Sequence, residues 1–129
     1  MAMSKEDYVS YDLAQRLKEV EFEEHCKNAY LKIGRKVKLL YWGTAAKLAN
    51  DMGGEYVSAP NLWQAQKWLR EKWGIYAYCE PNCLKKWFAR AIDLAKNEDL
   101  LFNGEMFDNF EKATEYAIFA ALELIKKGE

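Results

Sequence analysis

Side chains that hold metals or carry redox chemistry are scarce in this chain: one histidine, His25, and three cysteines, Cys26, Cys79 and Cys83. His25 and Cys26 are adjacent, and Cys79 and Cys83 are separated by three residues with Pro81 among them. Structural zinc sites favour tighter Cys-x-x-Cys knuckles. No metal site is therefore expected, and a Cys–His nucleophile pair lacks a nearby orienting group. An odd cysteine count reads as a reduced chain, and Met1 to Asp7 have no apolar signal core, so a cytoplasmic location is expected. No apolar run approaches the roughly 20 residues of a membrane span, which argues against a membrane partner. Gly53-Gly54 lacks the following Lys-Ser/Thr of a phosphate loop. The carboxylates give no sign of a buried pair with split pKa values. The expectation is a protein without catalytic residues or cofactor, and not an enzyme.

Net charge is −1, so the chain as a whole is no obvious polyanion binder. Its distribution is uneven. Residues 1 to 25 carry seven acidic and three basic side chains, whereas residues 26 to 50 carry six basic ones and no acid. Half of the 129 residues are apolar, enough for a core without disulfides or metal. That length predicts residues 1–8 as a flexible tail and residues 9–129 as a single α+β domain.

The clearest element is a helix over 61–73. Pro60 holds Ala59 extended, Asn61 and Gln64 form a capping-box pattern, and Gly74 ends it. Leu62, Ala65, Leu69 and Trp73 share one face. Ser10 predicts the cap of a helix to Glu19, with Val9 and Ala14 at the staple positions. The run Glu19, Glu21, Glu23, Glu24 reads as a solvated helix end. Residues 29–33 and 37–42 predict a hairpin about Gly34-Arg35. Thr44 suggests a short helix to Met52, and Glu55 to Ser58 an extended lead-in. Residues 75–79 are β-prone. Residues 84–95 fit helical spacing through Leu84, Trp87, Phe88, Ala91, Ile92 and Ala95. The same stretch also fits a strand through Phe88, Arg90, Ile92 and Leu94. Lys96 to Asp99 predict a turn, Leu100 to Phe102 a strand and Asn103-Gly104 another turn. Asp108 with Glu111 predicts the start of a last helix over 109–126. Its stripe is Phe110, Ala113, Ala117, Ala121 and Leu124, widened by Thr114, Ile118 and Ile125.

Three stretches carry a resemblance. They are Tyr8-Val-Ser-Tyr-Asp-Leu-Ala-Gln-Arg-Leu-Lys-Glu19, Val57 to Ile75, and Phe107-Asp-Asn-Phe-Glu-Lys-Ala-Thr-Glu-Tyr-Ala-Ile118. Together they resemble a family of small uncharacterised proteins carried by phages and mobile elements of gut Bacteroidetes. The resemblance spans most of the chain, departs most over 27–56, and brings no activity or site residues with it. It implies an extended, aromatic-rich segment before the last helix, hence a strand at 86–94. The expected fold is α+β: three main helices on a small antiparallel sheet, a three-stranded meander followed by the C-terminal helix. A sheet followed by an Asp-capped helix is also similar to HicB-type antitoxins.

Two surfaces carry functional expectations. On the last helix Tyr116, Phe119 and Leu122 fall on a charged face, and Trp63 and Trp68 border the central stripe. Such groups suit a protein contact or a homodimer, and a non-enzymatic protein-interaction module is the first reading. The alternative is a nucleic-acid-binding accessory protein using residues 27–47. There Lys27, Lys32, Arg35, Lys36 and Lys38 interleave with Tyr30, Tyr41 and Trp42, cations for phosphates and rings for bases. Lysines on a strand also serve simply to blunt a sheet edge.

Overall fold

The computed structural model describes residues 8–42, 48–52, 55–82, 85–101 and 106–127. The chain divides between Asn61 and Leu62 into two compact units. It is an α+β protein with two antiparallel sheets in place of the single sheet expected.

In the first unit, Tyr8, placed in the expected tail, is bridged to Asn61, and the Val9 N–H donates to the Pro60 carbonyl. Helix α1 spans Tyr11–Glu19. The Ser10 hydroxyl accepts from the Leu13 N–H at 3.2 Å, and the staple pair Val9 and Ala14 is buried. Leu13, Ala14 and Leu17 form the inner face. The helix ends in a Schellman motif. Glu21 takes a left-handed φ of 62°, its N–H reaches the Lys18 carbonyl and the Phe22 N–H reaches the Leu17 carbonyl. Such a motif brings the residue after the left-handed one against the last turn. Phe22 is accordingly drawn fully inside, within a run that reads in sequence as solvated.

Strands β1 (Asn28–Ile33) and β2 (Lys36–Tyr41) form the predicted hairpin, paired from Asn28↔Tyr41 to Ile33↔Lys36. Gly34 supplies the positive φ, 62°, that a two-residue hairpin loop requires. Strand β3 (Tyr56–Ser58) adds to the other edge of β1, giving the order β2-β1-β3. A single 3-10 turn, Ala49–Asp51, stands where a helix to Met52 is expected; Thr44 and Gly53-Gly54 lie outside the described residues. Asn50 ties this unit together. Its Nδ2 donates to the Phe22 carbonyl (2.8 Å), its Oδ1 accepts from the Ser58 N–H (2.8 Å), and its own N–H donates to Ser58 Oγ (3.2 Å). Ser58 is buried, so these bonds satisfy groups that water does not reach.

In the second unit, α2 covers Leu62–Trp68 and continues as a π-helical turn, Leu69–Trp73, closed by Gly74 at φ 67°. Strands β4 (Ile75–Pro81), β5 (Trp87–Asp93) and β6 (Glu98–Leu101) form the meander, and β7 (Met106–Phe107) pairs with the start of β5. Residues 87–93 are thus a strand, although their helical spacing is as good. Pairing on both sides of β5 outweighs local periodicity. The turn after β5 falls at Leu94–Asn97, two residues before its predicted place. Asp93 causes the shift by accepting from the Ala95 and Lys96 N–H groups. The Gln66 amide donates to the Ala77 carbonyl at 2.9 Å, on the outer strand β4.

Helix α3 (Phe110–Lys127) packs on β4 and β5. Alanines meet there: Ala77, Ala89 and Ala91 on the sheet and Ala113, Ala117 and Ala121 on the helix are all buried. The buried arc also takes in Thr114, Ile118, Leu122 and Ile125, while Leu124 (40%) and Phe110 (44%) are exposed. The helix is thus rotated by roughly 50° from the stripe expected at 3.6 residues per turn. Its cap is Asn109, not Asp108: Asn109 Oδ1 accepts from the Lys112 N–H at 2.8 Å. Asparagine caps as well as aspartate, and Asp108 is engaged by the Lys86 ammonium, which holds its carboxyl below the usual range. Asn109→Ala is therefore expected to lower the melting temperature by several degrees, about 1 kcal/mol. Asp108→Ala should barely move it. The reverse order in a thermal melt would return the cap to Asp108.

Candidate nucleic-acid interface

The hairpin of the first unit stands apart because its third strand is short. Strand β3 pairs only with Ala29–Leu31 of β1, extended by one backbone bond at each end, from the Ala59 N–H to the Asn28 carbonyl and from the Lys32 N–H to the Glu55 carbonyl. Beyond that the ribbon runs as two strands. Every residue from Lys32 to Lys38 is exposed. Lys32, Arg35, Lys36 and Lys38 lie within this arm, and among the described residues none of them has an ion-pair partner. Ile33 (55%) and Val37 (39%) are exposed beside them. These two apolar side chains escape a charge-based reading of the sequence. The available signal was a β-branched residue on each strand close to Gly34.

The register sorts the arm by face, because directly paired residues share a side. Lys32 pairs with Val37 on one face. Ile33 pairs with Lys36, and Leu31 with Lys38, on the other. Arg35 sits in the loop at the end. Lys27 is exposed at the base of the hairpin, and Lys47 lies outside the described residues.

The rings expected to serve bases are mostly engaged. The Tyr30 hydroxyl donates to the Val9 carbonyl at 2.6 Å, and its ring meets Tyr11 edge-on at 5.6 Å. Tyr30 is therefore a structural residue and not a stacking surface. Trp42 is half-buried and tilts against Tyr56 at 6.4 Å. Tyr41 is open, 69% exposed.

The expected protein-contact patch does not assemble. Leu122 is buried, because α3 is turned toward it. Trp68 is also buried: the inner arc of α2 centres on Ala65, which takes Trp68 in and leaves Trp63 (61%) outside. Tyr116 is half-buried against Phe107 at 5.0 Å, and Phe119 is half-buried. Trp63 carries the Lys67 ammonium 5.4 Å from its ring centroid.

Other polar side chains bond to one another. Arg90 bonds to Glu80 (3.1 Å) and Asp99 (2.9 Å), and the Tyr78 hydroxyl donates to Glu80 (3.1 Å). A groove of about 370 Å³ beside α1, lined by residues such as Tyr11, Gln15, Lys18 and Glu55, is bridged by its own contacts. There Lys18 donates to the Tyr56 carbonyl, and Gln15 donates to the Tyr11 hydroxyl. Burial pushes the Cys79 thiol up from its ordinary value and so disfavours the thiolate, outweighing the opposing effect of Thr114 Oγ1, 3.3 Å from its sulfur. Among the described residues no group of three or more His, Cys, Asp and Glu side chains is placed to hold a metal ion. Nor, among them, is any helix long and apolar enough to cross a membrane. Comparison of the chain with protein-family models, curated proteins and solved structures gives no match.

Proposed function

We propose that this chain is a non-enzymatic, nucleic-acid-binding accessory protein of the phage or mobile-element type its sequence resembles, acting through the arm at Lys32–Lys38. What supports the reading is a run of cations on an exposed two-stranded ribbon, without carboxylate partners among the described residues. Unpaired like charges repel one another and add nothing to folding. Their use is electrostatic attraction to a polyanion, through release of its condensed counterions.

The test is fluorescence anisotropy with a labelled oligonucleotide over a salt series. Four contacting cations predict a log K against log salt slope of about −3 to −4 on duplex DNA, so that affinity falls roughly 100-fold between 50 and 200 mM salt. No binding at low salt would remove the proposal. A protein contact is the second reading, and exposed Trp63 is the anchor that favours it.

A further inference from the structure

We infer that the arm is shaped for the major groove of B-form duplex DNA, an inference that rests on the nucleic-acid reading above and narrows its ligand. The register carries it. Lys32 lies on one face of the ribbon and Lys36 and Lys38 lie on the other, with Arg35 in the terminal loop. A groove presents a phosphate wall on each side of whatever enters it. Cations on both faces meet both walls at once. A single strand lies along one face and leaves the opposite cation facing water. It also needs open rings for its bases. Here Tyr30 is bound to Val9 and Tyr11, and Trp42 leans on Tyr56. Exposed Tyr41 is four residues along β2 from Val37, roughly 14 Å at the usual rise of a strand.

Dimensions point the same way. The B-form major groove, about 12 Å wide, admits a two-stranded ribbon. The A-form groove of duplex RNA is deep and narrow and excludes one. With the ribbon inserted end-on, Arg35 comes first to the groove floor, where a guanidinium reads guanine O6 and N7. Exposed Ile33, beside the loop, offers an apolar surface to thymine methyl groups.

The experiment compares three probes of one sequence: a 20-base-pair DNA duplex, one of its single strands, and the corresponding RNA duplex, by anisotropy at about 50 mM salt. The DNA duplex is expected to bind at least about tenfold more tightly than either of the others. Lys32→Glu and Lys36→Glu should each weaken duplex binding by roughly three- to tenfold. Circular dichroism checks that both variants keep the fold. If the single strand or the RNA binds as tightly as duplex DNA, the groove inference is overturned while the nucleic-acid reading stands. The same holds if Lys36→Glu weakens binding and Lys32→Glu does not. If none of the three probes binds, both fall.

Discussion

Reversing Arg35 and Lys36 together to glutamate is expected to reduce oligonucleotide affinity on the order of 100-fold or more, while the melting temperature holds or rises slightly. Two phosphate contacts are lost, and two carboxylates then face the phosphates at close range, so the change exceeds simple deletion. The stability side follows from the environment. Both residues are exposed and neither has an ion-pair partner among the described residues. Surface substitutions of this kind move stability by no more than about 0.5 kcal/mol. Two negative charges would also relieve repulsion among Lys32, Lys38 and Lys27. Anisotropy and a thermal melt on the same preparation separate the two effects. Binding that survives the double reversal would move the interface away from the arm.

Phe22→Ala is expected to be the most damaging single truncation in the first unit. Phe22 is fully buried, the largest such side chain among the described residues. Removing a buried phenylalanine costs about 3–5 kcal/mol through lost transfer energy and the cavity left behind. A unit of this size holds roughly 3–9 kcal/mol in total at ordinary stability per residue. The substitution therefore consumes most of what keeps the unit folded. The backbone bonds to Leu17 and Asn50 remain possible in the variant, so the loss reports packing and not hydrogen bonding. Urea unfolding should show a midpoint lowered by roughly 1 M or more. An unchanged midpoint would mean that Phe22 contributes no packed core. Because the hairpin grows from this unit, oligonucleotide binding should weaken in parallel.

Phe22 also marks where sequence reading stops. Local signals were legible: Ser10 as a cap, Gly34-Arg35 as a loop, Gly74 as a stop and the lone basic stretch of the chain. Each depends on one or two residues acting on their own backbone. Phe22 depends on Glu21 adopting a left-handed conformation, which glutamate seldom advertises, so a buried anchor hid inside an acidic run. Asp108 and Asn109 are both good caps, and the choice between them was made by Lys86, twenty-two residues upstream. The strand at 87–93 carried helical spacing as good as its alternation. Only partners on both sides decided it. Leu122 and Leu124 changed sides because a helix is turned by the surface it meets, here a floor of alanines, and Trp68 went inside because the buried arc of α2 centres on Ala65. The arm was visible as charge. That it projects was not visible, since projection comes from the brevity of β3.

The bond from Gln66 to the Ala77 carbonyl has a consequence for behaviour at high concentration. A border strand with bare amide and carbonyl groups is a template on which another copy can add, the first step of sheet polymerisation. Here an amide from the neighbouring helix already occupies part of that border, on a seven-residue strand long enough to recruit a stranger. The same side chain that fastens α2 to its sheet thus also guards the molecule against fibril growth.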